Sequence, residues 1–279
     1  MSEPSGPGRL HVVATPIGHL DDLSRRAEAT LRTADRILAE DTRRTRGLLS
    51  HLGIDHKRVD RFDAHAGDGA VAAALAALAR GEQLALVTDA GTPCVSDPGT
   101  RLIEAAAREG YTIVPIPGAS AVLTALVGAG LGDGPFRFLG FLPRDGADRT
   151  RALDRVVATD EVAVLFEAAN RLGDTLADLA SLQPDRAAVV ARELTKVHEE
   201  FTRGSLRELA DTPREWLGEI VLVLGPFARP DEAITDDQVD RWIDEAVARG
   251  ASAKDAAQQV AARSGRPRRE VYARVLARR

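Results

Sequence analysis

Leu84-Ala85-Leu86-Val87-Thr88-Asp89-Ala90-Gly91-Thr92-Pro93-Cys94-Val95-Ser96-Asp97-Pro98-Gly99 begins as a strand and ends as a loop. The apolar run Leu84–Val87 follows Gly81, which stops the preceding helix, and suits a buried strand. Pro93 and Pro98 fix the backbone φ, while Gly91 and Gly99 accept angles that other residues resist. Arg101-Leu102-Ile103 then opens a helix. A loop from Thr88 to Gly99 far exceeds the roughly 2–6 residues usual between strand and helix. Open α/β sheets bind ligands at the carboxyl ends of their strands, where this loop lies.

Outward from that loop, strand and helix patterns alternate. Leu10–Ala14, Arg36–Ala39, Val59–Phe62, Leu84–Val87 and Tyr111–Ile116 read as strands. A helix starting at Asp21-Asp22-Leu23-Ser24 and helices over Arg43–Leu52, Ala70–Ala79 and Arg101–Arg108 separate them. Such alternation predicts a parallel sheet covered on both faces. The first α/β domain is expected over 10–117, after a loose leader at 1–9, and a second over 118–225. In the second, helices at Ala119–Val127, Arg149–Ala158 and Leu172–Ser181 alternate with strands at Phe136–Phe141 and Val162–Phe166. Strands Ala187–Arg192 and His198–Arg203 then follow each other without a helix; a short helix from Ser205 and the strand Ile220–Leu224 complete the domain. Consecutive strands predict a mixed sheet. Pro226–Pro230 reads as a linker to a helical appendage over 231–279, with helices at Asp236–Ala248, Ala253–Ala262 and Arg268–Leu276. Its size is that of a helix-turn-helix unit.

Composition narrows the function classes. At 279 residues, 44% hydrophobic and 28% charged, the chain is an ordinary globular one. Apolar runs stay short of the roughly 20 residues a membrane span needs, so no membrane partner is expected. The single cysteine, Cys94, excludes an intramolecular disulfide and a multi-cysteine metal site, which makes the cytoplasm the expected compartment. The six histidines are scattered, and no metal is expected. A net charge of −5 argues against indiscriminate polyanion binding, yet Arg263, Arg266, Arg268, Arg269, Arg274, Arg278 and Arg279 face only Glu270 in the last segment. Gly128-Ala129-Gly130-Leu131-Gly132-Asp133-Gly134 imitates a dinucleotide loop, but a helix precedes it and a strand follows, the reverse of what that fingerprint needs. It reads as a helix end and turn. Long strand-end loops without a phosphate-binding signature suit a ligand made of an adenosine and an amino acid, compatible with S-adenosylmethionine. The carbonyls of Asp89, Ala90 and Gly91 could meet the polarised C–H groups of a sulfonium.

Seven motifs then occur in order: Ala14–Gly18, Ala39-Glu40-Asp41-Thr42-Arg43, Thr88–Gly99, Pro117–Ala121, Gly140–Arg144, Ala191–Lys196 with His198–Phe201, and Gly218–Val223. In these the chain resembles the small-subunit rRNA (cytidine-1402-2′-O)-methyltransferase family, within the tetrapyrrole-methylase-like class III methyltransferases. The resemblance runs from about residue 10 to the end. It implies two α/β domains with S-adenosylmethionine in the cleft between them, and a homodimer. It also implies a substrate: the ribose 2′-hydroxyl of a cytidine in the decoding centre of 16S rRNA, within an assembled small subunit. Carried over, the cofactor would touch Pro16, Asp89, Ala90 and Gly91, with Val95, Ser96, Ser120 and Ala121 bordering it. Phe166 and Leu194 would wall its adenine side. Departures occur at His19 (usually Asn), in the Asp63–Gly69 loop after its His, at Asn170 (commonly His) and at Asp145 (frequently Lys). They bear on substrate contacts more than on the cofactor.

Transfer of a sulfonium methyl group to a hydroxyl is an in-line displacement, and alignment alone supplies roughly 7–11 kcal/mol in well-oriented reactions. A ribose hydroxyl is a weak nucleophile that benefits from a base or a nearby cation. Glu40 and Asp41 are candidate bases at a strand end; the alternative is that Asp41 caps the next helix and Glu40 pairs with an arginine. Lys196 is a third candidate, acting with a depressed pKa or pairing with a phosphate. Arg43, Arg44 and Arg46 form one expected basic edge, and Arg144 with Arg149 and Arg151 another. Arg268 and Arg269 are further RNA-contact candidates, against a reading of that tail as dimer-stabilising or solvent-facing. Two other functions stay open: C-methylation of a tetrapyrrole, and a non-catalytic RNA-binding assembly protein that has kept the fold. Thr15-Pro16-Ile17-Gly18 in place of a glycine-rich loop argues against the first, and the intact Asp89–Gly99 loop against the second.

Overall fold

A computed structural model describes residues 8–96, 99–227, 236–248, 251–264 and 266–278, with Gln238, Ala262 and Arg263 described in their backbone only. Most of the expected leader, Asp97-Pro98 of the focal loop, Ala228–Pro230 of the expected linker and Arg279 lie outside the described residues. Residues through Pro226 form one unit, and those from Phe227 a second.

In the first sheet, β1 (Arg9–Val13), β2 (Arg36–Ala39), β3 (Arg58–Arg61), β4 (Gln83–Val87) and β5 (Thr112–Ile116) run parallel in the order β3-β2-β4-β1-β5. Helices α1 (Arg25–Thr33), α2 (Thr42–His51), α3 (Asp68–Ala79) and α4 (Thr100–Arg108) make the crossovers. Side chains alternate across a strand, so both faces of the sheet need cover. Leu84 and Leu86 pack with Leu78 and Leu102 on one face; Ala85 and Val87 pack with Leu31, Ile37 and Leu49 on the other. This is why β4 reads as an unbroken apolar run. The helix expected from Asp21 starts later: Leu20–Asp22 is a single 3₁₀ turn, and Ser24 caps α1 by accepting from the Ala27 amide. An aspartate pair favours a helix start, but the serine offers the better-placed oxygen.

The second sheet comprises β6 (Phe136–Phe141), β7 (Val162–Ala168), β8 (Ala187–Arg192), β9 (Glu200–Ser205) and β10 (Glu219–Leu224), ordered β6-β7-β10-β8-β9. Only the β6–β7 pair is parallel, so the sheet is mixed. Helices α6 (Gly146–Val157), α7 (Ala169–Leu182) and α8 (Leu206–Ala210) belong with one face, where Leu172, Leu176 and Leu179 are buried against Leu165, Val190 and Leu222. On the other face, α5 (Ala121–Ala129) packs with Val164, Val189 and Val223, and Ile17, Ala90 and Val95 of the first domain join the same cluster. That cluster packs the two sheets of this unit together. The Gly128–Gly134 segment is a helix end, with Gly130 capping α5 in the left-handed region. The strand expected at His198–Arg203 begins two residues later, because Lys196–Glu199 forms a turn.

In the second unit, α9 (Asp236–Ala248), α10 (Ala253–Ser264) and α11 (Arg268–Ala277) enclose Val239, Ile243, Val260, Val271 and Val275. Asp236, Asp240 and Asp244 recur every four residues along α9 and meet arginines from the chain's end. Arg266 and Arg274 reach Asp236 at 2.6 and 2.9 Å, Arg274 reaches Asp240 at 3.0 Å, and Arg278 reaches Asp244 at 2.6 Å. Much of the basic charge that the sequence offers to RNA is therefore neutralised within the unit.

Candidate functional site

The loops that follow β1 and β4 meet at the carboxyl edge of the first sheet. Thr15 and Gly91 exchange backbone hydrogen bonds of 2.9 and 3.0 Å, and the Thr15 hydroxyl donates to the Thr88 carbonyl at 3.2 Å. Gly91 sits at φ +81°, and a Cβ there would press on Ile17 at 3.3 Å. Cys94 and Ser96 carry positive φ without being glycine, as do Glu193 and Thr195 in the facing loop of the second domain. Each such residue costs of order 1–3 kcal/mol and persists where the surroundings over-determine it. Strain is thus concentrated in the two loops that face each other across the cleft.

Between them lies a cavity of about 350 Å³. Ala90, Gly91, Val95 and Ser96 line it from the focal loop, Ser120 and Ala121 from the start of α5, and Phe166 and Leu194 from the second domain. Eight of the ten residues tied by resemblance to the cofactor share this cavity. Ser120 also caps α5, accepting from the Leu123 amide at 3.4 Å. Phe166 is fixed by edge and tilted contacts with Phe138 and Phe141. Sequence reading missed Phe141, Gly218 and Glu219, which line the same space. All three lie in motifs already singled out, Gly140–Arg144 and Gly218–Val223, and that membership is the signal that could have found them. The walls are small, apolar and rich in backbone groups, which fits an adenosine-bearing, phosphate-free ligand better than a phosphorylated one.

Pro16 and Asp89, the other two, line an adjoining cavity of about 320 Å³ that shares Ile17, Ala90 and Glu219 with the first. This one is polar: Arg44, Thr88, Lys196 and Glu219 contribute to it. Here the motifs around Glu40 and Asp89 interlock. Glu40 Oε2 accepts from the Thr88 hydroxyl at 2.7 Å and from the Asp89 amide at 3.4 Å, rather than pairing with an arginine. The Asp41 amide donates to Asp89 Oδ1 at 3.0 Å, and Arg44 Nη1 stands 3.6 Å from Asp89 Oδ2. Burial is the main cause that raises the Asp89 pKa; the nearby Glu40 and Asp41 charges add to it, against the Asp41 amide and Arg44.

Asp41 caps α2, with its Oδ1 accepting from the amides of Arg43 at 2.7 Å and Arg44 at 3.3 Å. The Arg43 amide foremost lowers its pKa, which makes Asp41 a weak base. The depressed pKa that Lys196 would need to act as a base, the first of its two readings, is not found. Burial acts against its charge, but hydrogen bonds of 2.9 Å to Glu193 and 2.9 Å to Glu219 outweigh that and raise the pKa. Lys196 is a fixed cation rather than a neutral amine.

Among the RNA-contact candidates, the Arg43 side chain is almost fully exposed, and Arg46 is exposed on the same helix. Arg144 is exposed beside a third cavity that Phe141 and Asn170 also line. Arg149 is committed to Asp178, Thr175 and the Pro143 carbonyl, and Arg151 pairs with Asp148. Arg268 and Arg269 are exposed at the start of α11. Among the described residues, no group of three or more His, Cys, Asp or Glu could hold a metal ion.

Residues 9–210 match the family described as Tetrapyrrole (Corrin/Porphyrin) Methylases, and residues 232–279 match the RsmI C-terminal HTH domain. The chain is 40% identical over 271 residues to Ribosomal RNA small subunit methyltransferase I of Halalkalibacterium halodurans, covering 95% of this chain and 93% of that protein. It is 41% identical over 275 residues to the protein of the same name from Xylella fastidiosa, covering 96% and 99%. Among solved structures it is similar to the uroporphyrin-III C-methyltransferase of Thermus thermophilus, solved with S-adenosyl homocysteine. The TM-score is 0.57 and the identity 19%, with 78% of this chain and 97% of that one covered, so this likeness speaks to the fold alone.

Proposed function

Since the chain belongs to the tetrapyrrole methylase family, and within it to the ribosomal RNA small subunit methyltransferase I proteins, it is an S-adenosylmethionine-dependent rRNA methyltransferase, and we propose that it methylates the 2′-hydroxyl of a cytidine ribose in the decoding centre of 16S rRNA. The observation that carries the ribose reading is the pair of adjoining cavities, one apolar and walled by small residues, the other polar and charged. The apolar cavity suits S-adenosylmethionine, which brings an already activated methyl group. Ala90, Gly91, Val95, Ser96, Ser120, Ala121, Phe166 and Leu194 would hold it, with Pro16 at the boundary. The protein's task is then to align a weak hydroxyl nucleophile and receive its proton. Arg43, Arg44, Arg144, Arg268 and Arg269 are the proposed phosphate contacts, since a net-acidic protein must engage RNA through local patches.

The proposed substrate is the assembled small subunit in the cytoplasm, and the proposed state is a homodimer. Leu123 and Val127, side by side on α5 and 53% and 82% exposed, are apolar surface of the kind that subunits bury. No helix of the described residues is long and apolar enough to cross a membrane.

Incubation with radiolabelled S-adenosylmethionine tests the reading, with small subunits lacking the modification, naked 16S rRNA and uroporphyrinogen supplied separately. Alkali-resistant label at one cytidine in the subunit sample is the expected result. Label on uroporphyrinogen alone would overturn the proposal in favour of tetrapyrrole C-methylation. Cofactor binding without transfer to any of the three would favour a non-catalytic assembly role.

A further inference from the structure

The polar cavity contains more organisation than helix capping requires. Two motifs separated in sequence, Glu40-Asp41 with Arg44 and Thr88-Asp89, are tied together around Asp89: one bond fixes its backbone, and two groups face its carboxylate. Glu40 grips the Asp89 amide, the Asp41 amide grips Asp89 Oδ1, and Arg44 stands beside Oδ2. The Arg44–Oδ2 separation of 3.6 Å is longer than a hydrogen bond. The Asp89 side chain is 25% exposed, in a cavity whose volume falls within the roughly 300–1,000 Å³ of small-molecule sites.

The geometry points to this cavity as the seat of the target nucleoside, with Asp89 Oδ2 as the acceptor of the 2′-hydroxyl proton. The assignment rests on the ribose reading above. It moves Asp89 from the cofactor's side of the cleft, where the resemblance put it, to the substrate's side. The competing groups are otherwise engaged. Glu40 Oε2 holds Thr88 and the Asp89 backbone, Asp41 Oδ1 holds the first turn of α2, and Lys196 is a cation between two carboxylates. Arg44, largely exposed at the same cavity, is the cation available to a phosphodiester group that accompanies the nucleoside.

In the step, the 2′-oxygen forms a bond to the methyl carbon as its own O–H bond breaks and the proton passes to Asp89. The carbon–sulfur bond breaks with its electron pair left on sulfur, converting the sulfonium to a neutral thioether. Asp89 later returns the proton to solvent. Charged groups around Asp89 are Glu40 and Asp41 at the β2–α2 junction, Arg44 on α2, and Lys196 and Glu219 from the second domain. A carboxylate whose pKa is raised by burial is a better proton acceptor than an ordinary one, since efficiency grows as the pKa nears the working pH.

The test is single-turnover methylation of small subunits lacking the modification, followed across pH, with the full chain and with Asp89→Asn and Arg44→Gln. Asp89→Asn is expected to slow transfer about 10²–10⁴-fold, with S-adenosylmethionine affinity held within about twofold by calorimetry. The wild-type rate falls on the acid side as Asp89 takes up a proton; Asp89→Asn loses that limb. Arg44→Gln keeps the carboxylate but removes a cation that favours its charged form, so the limb moves to higher pH. Near wild-type transfer by Asp89→Asn, or an unchanged acid limb, would overturn the inference. A loss of S-adenosylmethionine affinity beyond about tenfold would overturn it too, by returning Asp89 to the cofactor. Nuclease digestion of the wild-type product separates the two levels: methyl label on the base defeats the ribose reading, whereas ribose label with an unaffected Asp89→Asn defeats this inference alone.

Discussion

Arg186 is 1% exposed, and its hydrogen-bond partners are the carbonyls of Gly225, Val156 and Glu161 together with the Gln183 amide oxygen. Burial draws its pKa down to about 10, so it stays charged at neutral pH and gathers four chain segments around one guanidinium. Arg186→Met fills the space but leaves those oxygens without donors, and is expected to cost about 2–4 kcal/mol in urea unfolding. Glu200 works at the surface. Hydrogen bonds from Arg214 foremost, with Thr202 and Arg192, lower its pKa to about 2 despite some burial. A carboxylate depressed from 4.5 to about 2 contributes stability above pH 4.5, and that contribution drains away as pH falls toward 2. Glu200→Gln should therefore lower Tm at pH 7 by about 2–4 °C and flatten part of the acid decline below pH 4.5, both read by thermal unfolding. Neither Arg186 nor Glu200 stood out in the sequence: Gly225, Val156 and Glu161 reach Arg186 from distant segments, and Arg192 and Arg214 meet at Glu200 only once strands and loop have folded. Asp41 was different: a helix cap needs only its own next residues, and both readings of it could be written down at once.

At the scale of elements, the cleft depends on two loops approaching closely. A Cβ on Gly18 would lie 2.6 Å from Lys196 Cγ, 2.7 Å from Thr195 Oγ1 and 2.9 Å from the Leu194 carbonyl. The His19 amide next to it donates to Thr195 Oγ1 at 3.0 Å. Gly18→Ala must push the Leu194–Lys196 loop away, so S-adenosylmethionine affinity is expected to fall about tenfold or more, measured by calorimetry, with the first sheet intact by circular dichroism. The acidic stripe of α9 makes a second element-scale case. Asp236 and Asp240 have lowered pKa values, caused first by hydrogen bonds from Arg274. Their contribution is present above the ordinary aspartate pKa and is lost as pH falls below it through the lowered folded-state pKa. Asp240→Asn is expected to lower the melting temperature of the second unit and leave the first unchanged, a separation differential calorimetry resolves. Strand and helix positions were legible from apolar spacing. The ladder was not, because the Asp236/Asp240/Asp244 repeat looks the same whether it faces water or another helix.

For the whole molecule, the consequence of that ladder is that RNA affinity cannot be read from arginine count. Replacing exposed Arg268 and Arg269 with glutamate is expected to weaken subunit binding and flatten its salt dependence, while Arg274→Gln chiefly destabilises the second unit; filter binding over a salt series, beside thermal unfolding, checks both. The two helix-covered sheets, one parallel and one mixed, the three terminal helices and the loop around which the site is built were already legible in the sequence. Those features follow from local patterns: two-residue and 3.6-residue apolar periods, and turns that need glycine, proline or a capping oxygen. Eight of the ten residues tied to the cofactor by resemblance also fell together around one cavity, since motifs at the ends of adjacent strands have few other places to go. Which charges are free was settled by folding. It tied Lys196 between Glu193 and Glu219, committed Asp41 to a helix end, and left Asp89 at the polar cavity where the two motifs interlock. Proton affinity is set by burial and by charges a few ångströms away, and those neighbours come from segments that meet only when the chain has folded.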